Sequence, residues 1–207
     1  ELSPRTTILL AAVLSLAAVF SGASIAVFGA SSPDWRVLKA QAQVGDGAER
    51  RVLLLAALVN TGEIEQAFEL AEEIGEQGDF RPLASEVRAK YLAALERNSE
   101  DVLALNMVAM SSFALGEYRQ SALCLERLTR LEPENVWIRH LLAASYAYSG
   151  RIDEAVSVLK SALELDPGNQ VTHFLLSVGY YKQRKYLLAI YHYLRAPDVA
   201  KRFSLHF

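Results

Sequence analysis

Cysteine occurs once in the 207 residues, at Cys124, so no intrachain disulfide and no thiolate zinc site can form. Proline (six) and glycine (eleven) are sparse, which removes the punctuation that strand-and-turn folds need and favours helix. No excess of basic charge is present either: 21 Lys and Arg against 24 Asp and Glu leave a net charge of −3, which argues against a dedicated nucleic-acid binder. With 52% hydrophobic residues and 22% charged, the chain is also too apolar to be wholly disordered.

Chemistry-bearing constellations are missing too. The histidines, His140, His173, His192 and His206, show no metal-ligand spacing. Gly45-Asp46-Gly47 lacks the Lys-Ser/Thr partner of a phosphate loop. Cys124, between Leu123 and Leu125, reads as a small buried hydrophobe. Neither an enzyme nor a resident cofactor is expected.

Between Thr6 and Pro33 there is no charged side chain. As a helix, Thr7–Ala30 would rise about 36 Å, more than the roughly 30 Å of bilayer hydrocarbon. Its eleven Leu, Ile, Val and Phe residues favour insertion. Residues 1–30 are therefore expected to form a single transmembrane anchor. The competing reading is a signal peptide cleaved near Ser21-Gly22-Ala23. Ala18, Gly22, Ala26 and Ala30 fall four apart, a small-residue stripe along which another membrane helix can pack. Arg5 precedes the span, whereas Arg36, Lys39, Arg50 and Arg51 follow it, so the positive-inside bias leans toward a cytoplasmic carboxyl side. Residues 31–47, with Ser32-Pro33-Asp34 and Gly45-Asp46-Gly47 as breakers, read as a polar linker.

Beyond the linker the chain repeats itself. Gly116 and Gly150 are 34 apart, as are Pro133 and Pro167, Ala109 and Ala143, Leu125 and Leu159, and Tyr146 and Tyr180. Tyr118, Ile152 and Tyr186 hold the spacing over three periods. A 34-residue period with two helical stretches is the signature of a helical-hairpin solenoid. The stretch Val136–Pro167 resembles a tetratricopeptide repeat, with Leu142-Ala143, Tyr146, Ala155, Leu159 and Pro167 in the family's slots, Arg139 in its Trp slot and Gly150 at the turn. Val102–Pro133, Gln170–Pro197 and Ala48–Asp79 fit more loosely, and Gln170–Pro197 has Arg184 where the turn glycine belongs. Gly62 and Gly116 are 54 apart, one period and about 20 residues more. The excess corresponds to a helix near 82–97, either the second helix of a degenerate repeat or an inserted one.

The expected architecture is thus all-α: a right-handed tetratricopeptide-like solenoid over 48–197, preceded by the membrane helix and followed by a short tail, 198–207. The resemblance implies that the first helix of each repeat lines a concave surface. On this sequence that names Leu103, Asn106, Met110 and Phe113, then Trp137, His140 and Tyr148, then Phe174 and Tyr181. Such an apolar, aromatic trough suits an amphipathic helix or extended apolar peptide. The alternative is that these side chains pack within the chain.

Charge divides by position. Seven carboxylates and no Lys or Arg lie between Val52 and Phe80, and six basic residues against Asp198 lie between Lys182 and Arg202. These read as solvated faces, or as acid-to-base steering between subunits or toward a partner. The functional expectation is a membrane-anchored scaffold that recruits protein partners, alone or as a homo- or hetero-oligomer, at the bacterial inner membrane. Similar bacterial proteins assist envelope-complex assembly, polysaccharide synthesis and export, or cytochrome maturation. A fixed structural subunit of a membrane complex and a secreted soluble scaffold are the alternatives.

Overall fold

The computed structural model describes residues 33–44, 47–76 and 81–202. Among them are eleven α-helices and no strand: α1 Trp35–Gln43, α2 Ala48–Thr61, α3 Ile64–Glu76, α4 Arg81–Arg97, α5 Val102–Ala114, α6 Tyr118–Leu131, α7 Val136–Tyr148, α8 Ile152–Leu165, α9 Gln170–Lys182, α10 Tyr186–Tyr193 and α11 Pro197–Arg202. No helix among the described residues is long and apolar enough to cross a bilayer. The expected span, with Ala18, Gly22, Ala26 and Ala30, lies outside the described residues.

Local chemistry sets the helix ends. Asp101, Asn135 and Asn169 stand before α5, α7 and α9 in extended backbone, and their side-chain oxygens accept from the first free amides. Each hairpin turn repeats one hydrogen-bond pattern. In α5–α6, Gly116 N–H donates to Phe113 O and Glu117 N–H to Ser112 O; in α7–α8, Gly150 and Arg151 do the same to Ala147 and Tyr146. The pattern needs a left-handed residue, and Gly116 (φ 80°) and Gly150 (φ 82°) supply it without a Cβ penalty. In α9–α10 the same bonds form around Arg184, at φ 61°. The turn without its glycine therefore keeps its geometry and carries the strain.

Hairpins α5–α6, α7–α8 and α9–α10 stack in chain order, each second helix packing on the next first helix. Their shared core runs through Leu105, Leu125, Leu128, Ile138, Leu142, Leu159 and Leu176. Small residues sit at the crossings: Ala143 and Ala155 are each 3% exposed and Ala162 is fully buried. Gly179 is tighter still, since a Cβ there would meet Val156 Cγ2 at 2.7 Å.

The amino-terminal part departs from regular stacking. Helix α4 packs along α5 as α6 does along α7, the place of a preceding repeat's second helix, while α3 packs on α2. Two segments expected as linker and tail carry helix. The polar linker contains α1, because Asp34 caps it by accepting from Arg36 and Val37 N–H and Trp35 is driven into the core at 1% exposure. The tail begins as α11, with Pro197 at its start, Val199 and Ala200 buried on the protein, and Gln170 and Asp198 exchanging hydrogen bonds.

Two substitutions test this account in opposite directions. Arg184→Gly should raise stability by about 1 kcal/mol by relieving the left-handed residue. Gly179→Ala should lower it by about 1–3 kcal/mol, since Val156 must move. Urea denaturation of the two variants, followed by circular dichroism, reads both.

Candidate functional site

The nine residues expected to line the trough fall into three groups. Leu103, Asn106 and Met110 of α5 are covered by the chain's own helices. Asn106 is 1% exposed, with its Oδ1 accepting from Asn60 Nδ2 of α2 at 3.3 Å and its own Nδ2 donating to Val102 O. Asn135 Nδ2 in turn donates to Asn60 Oδ1 at 3.4 Å, so α2 is tied to the start of α7 as well. Beside this bridge, Trp35, Ala56, Ala57, Val87 and Met107 form a buried cluster, against which the half-buried Leu103 and Met110 pack. The amino-terminal stretch of the expected trough is therefore occupied by α1 and α2 rather than open.

The second group forms internal aromatic contacts. Phe113, 4% exposed, meets Tyr118 and Tyr148 edge-on at 5.1 and 5.5 Å, and those two tyrosines stack at 5.0 Å. Burial pushes the Tyr148 phenol above its ordinary range. His140, fully buried, lies edge-on to Trp137 at 5.2 Å and its Nε2 hydrogen-bonds Thr172 Oγ1 of α9 at 2.8 Å. Phe174 is 5% exposed within the main core. Asn106, Phe113, His140 and Phe174 are thus interior residues in this structure, because each sits where two or more helices meet.

The third group remains accessible. Trp137 of α7 is half-buried, as are Ala147 and Val178 beside it, and Tyr181 at the end of α9 is 46% exposed. Tyr148 is half-buried as well, with its ring on Phe113 and Tyr118 and its hydroxyl enclosed. Sequence reasoning missed Trp35 and Asn60, the residues that close the trough. The signal for Trp35 was Asp34, a helix cap read as a breaker; Asn60 is the single amide that ends the apolar run Val52–Val59.

A second histidine contact joins α9 to α10. His173 Nε2–H donates to Pro167 O at 3.2 Å, which leaves its Nδ1 to accept from His192 Nδ1–H at 2.8 Å. Tyr180 stacks on His192 at 5.4 Å. Burial depresses the His173 imidazole; burial, with the charges of His173 and Arg195, brings His192 down to about 4. Burial, with Arg139 beside it, brings His140 down to about 3. Among the described residues no cluster of three or more His, Cys, Asp or Glu could hold a metal.

These depressed values give stability a defined pH dependence. The unfolded histidines titrate near 6.5 and take up protons before the folded ones, so stability is full above about pH 6.5 and falls as pH drops toward the folded values. For the fully buried His140 the loss by pH 5 should reach about 2 kcal/mol. Denaturation midpoints at pH 7 and pH 5 should show it, and His140→Phe should remove the His140 share of that difference, leaving the part due to His173 and His192, even though it loses the Thr172 hydrogen bond.

Comparison with known proteins agrees with this geometry. The Tetratricopeptide repeat family matches residues 109–169 and 140–202. No curated protein sequence matches the chain. Among solved structures, MamA from Desulfovibrio magneticus RS-1 superposes with a TM-score of 0.51 at 16% identity, covering 84% of this chain and 86% of its own. MamA MSR-1 gives 0.50 at 19% identity, covering 81% and 88%, and MamA AMB-1 gives 0.50 at 20%, covering 81% of each. At these identities the likeness is one of fold. The 34-residue period, the repeated turn geometry and the stacked hairpins agree with the family match: residues 109–202 carry tetratricopeptide repeats, in two overlapping stretches.

Proposed function

We propose that this protein is a scaffold that captures an apolar helix or peptide of a protein partner, held near a bilayer by its uncharged amino-terminal segment. Tetratricopeptide solenoids bind along the helices that line their inner wall. What favours a helical ligand here is the occupancy of α5: the inward positions Leu103, Asn106 and Met110 accept α1 and α2 of the same chain. Those positions therefore suit a short helix with an aromatic anchor, a role Trp35 plays at 1% exposure.

The accessible continuation lies on α7 and α9. Trp137, Ala147, Tyr148 and Val178 are half-buried there, and Tyr181 is exposed. A partner helix laid along them would extend the row begun by α1 and α2. Large aromatic side chains supply much of the energy of such contacts. The membrane reading rests on the sequence, where no charge occurs from Thr6 to Pro33.

The test separates surface from core. Trp137→Ala and Tyr181→Ala should each weaken partner capture by about 2 kcal/mol while leaving the helical circular dichroism unchanged. Phe113→Ala, by contrast, should cost about 3–5 kcal/mol of stability, because it removes the edge-on contacts with Tyr118 and Tyr148 and leaves a cavity beside them. Capture is read by co-purification of the detergent-extracted full chain with mass spectrometry. Retention of the same partner by the double variant Trp137→Ala/Tyr181→Ala overturns the inner-wall reading. A partner lost steeply with added salt would place the contact on the charged ends instead.

A further inference from the structure

Helix α10 has no polar face. Its residues, Tyr186–Tyr193, are Tyr-Leu-Leu-Ala-Ile-Tyr-His-Tyr, without a charge among them. One side is accounted for: Ala189 and His192 are buried against α9, followed by Ala196 and Val199. At 100° per residue the opposite side carries Leu187, Ile190, Tyr191 and Leu194, exposed by 86, 56, 49 and 71%. A helix that is apolar all round is normally covered on both sides, and contiguous exposed apolar surface of this kind marks an interaction site.

The surroundings of this stripe identify the occupant. Lys182 and Lys185 precede it in the chain and Arg195 follows it, all exposed; Lys185 Nζ lies over the Tyr180 ring at 6.0 Å and Arg195 over the Tyr191 ring at 4.5 Å. On the neighbouring elements, Asp153 accepts from Gln183 Nε2, and Asp198 exchanges hydrogen bonds with Gln170. A symmetric pairing of two copies would set these cations against their own images. Pairing with the acidic α3 of a second copy would press Leu187 and Leu194 onto the exposed Gln66, Glu69 and Glu73. Leucine and isoleucine tips, tyrosines at their margin and a basic rim match instead the layered chemistry of a bilayer interface, with acyl chains below and anionic headgroups above.

We propose that the outer face of α10 docks on a membrane surface bearing anionic lipid headgroups. Leu187, Ile190 and Leu194 enter the acyl boundary, Tyr186 and Tyr191 sit at headgroup level, and Lys182, Lys185 and Arg195 contact the phosphates. The inference is compatible with the membrane tether proposed above but stands on separate residues. If both hold, the solenoid is fastened to the bilayer at two points and its orientation is fixed, not only its distance.

The test uses the full chain carrying Cys124→Ala and Leu187→Cys, labelled at position 187 with an environment-sensitive fluorophore. Phosphatidylglycerol-containing vesicles should shift its emission to the blue, and nitroxide-labelled lipid should quench it; pure phosphatidylcholine vesicles should do so far less. Lys182→Gln, Lys185→Gln and Arg195→Gln should weaken the response about fivefold each, and on the order of a hundredfold together. Resistance of the vesicle-bound protein to alkaline extraction reads the amino-terminal anchor separately. Bound protein whose label does not respond to anionic vesicles overturns the α10 proposal and leaves the anchor standing. A label already buried without vesicles also overturns it: concentration-dependent burial points to a second copy, and concentration-independent burial to residues 203–207 folding over the helix.

Discussion

Close approach between neighbouring hairpins is the constraint on which the structure depends. An isolated helical hairpin leaves one apolar side in water; it is stabilised only when the next hairpin covers that side. Covering requires backbones to come near, and this chain places alanine where they do: Ala143, Ala155 and Ala162 at the α7–α8 crossings, with Gly179 where α9 meets Val156. The larger side chains then interlock around these points, and a continuous core from α2 to α11 results. Turn geometry serves the same end, since the left-handed residue at each hairpin fixes the angle at which the second helix returns.

The contact between α2 and α5 shows how such an assembly handles polar atoms. Asn106 occupies a position that in an open solenoid would face solvent. Here it is enclosed, and its amide is satisfied on both sides, by Asn60 and by the Val102 carbonyl. A buried amide left unpaired costs about 1–3 kcal/mol, so the Asn60–Asn106–Asn135 bridge selects one register of α2 over α5 and disfavours sliding. Salt bridges support the same arrangement from the rim: Lys39 with Glu63, and Lys90 with Glu49. The latter pair is substantially exposed and contributes little by itself.

Periodicity made the carboxyl-terminal repeats legible. The 34-residue spacing of Gly116 and Gly150, the proline pair Pro133 and Pro167, and the alanines between them located α5 to α10, and Pro82 marked the start of the extra helix α4. What the pattern could not carry was the occupancy of the inner wall. Regular repeats would leave the slots of Asn106, Phe113, His140 and Phe174 facing a groove. Yet Phe113 is covered by Tyr118 and Tyr148, His140 by Trp137 and α9, and Phe174 by the main core. Whether the Asn106 slot is filled depends on where α2 goes. That depends on long-range packing of the apolar run Val52–Val59, whose leucines and alanines show no single preferred side. Trp35 lay in a segment that looks like a linker because its helix is short and polar outside, and only the Asp34 cap betrays it.

Two ends of one solenoid thus meet opposite situations. At the amino-terminal end, inward positions that a repeat would offer to a ligand are closed by the chain itself, with Trp35 buried and the amides of Asn60 and Asn106 hydrogen-bonded to each other. At the carboxyl-terminal end, α10 presents apolar residues outward with nothing among the described residues upon them. Stacking explains this asymmetry without special pleading: every second helix needs cover from a following element, and α11 runs along α9 rather than α10. The uncovered side could have been made polar at no expense to the core, since Leu187 and Leu194 touch little else. Packing among the described helices does not call for leucine, isoleucine and tyrosine on that side. The proposed docking on a bilayer would account for them, because an anionic, apolar-cored layer matches apolar tips flanked by basic residues.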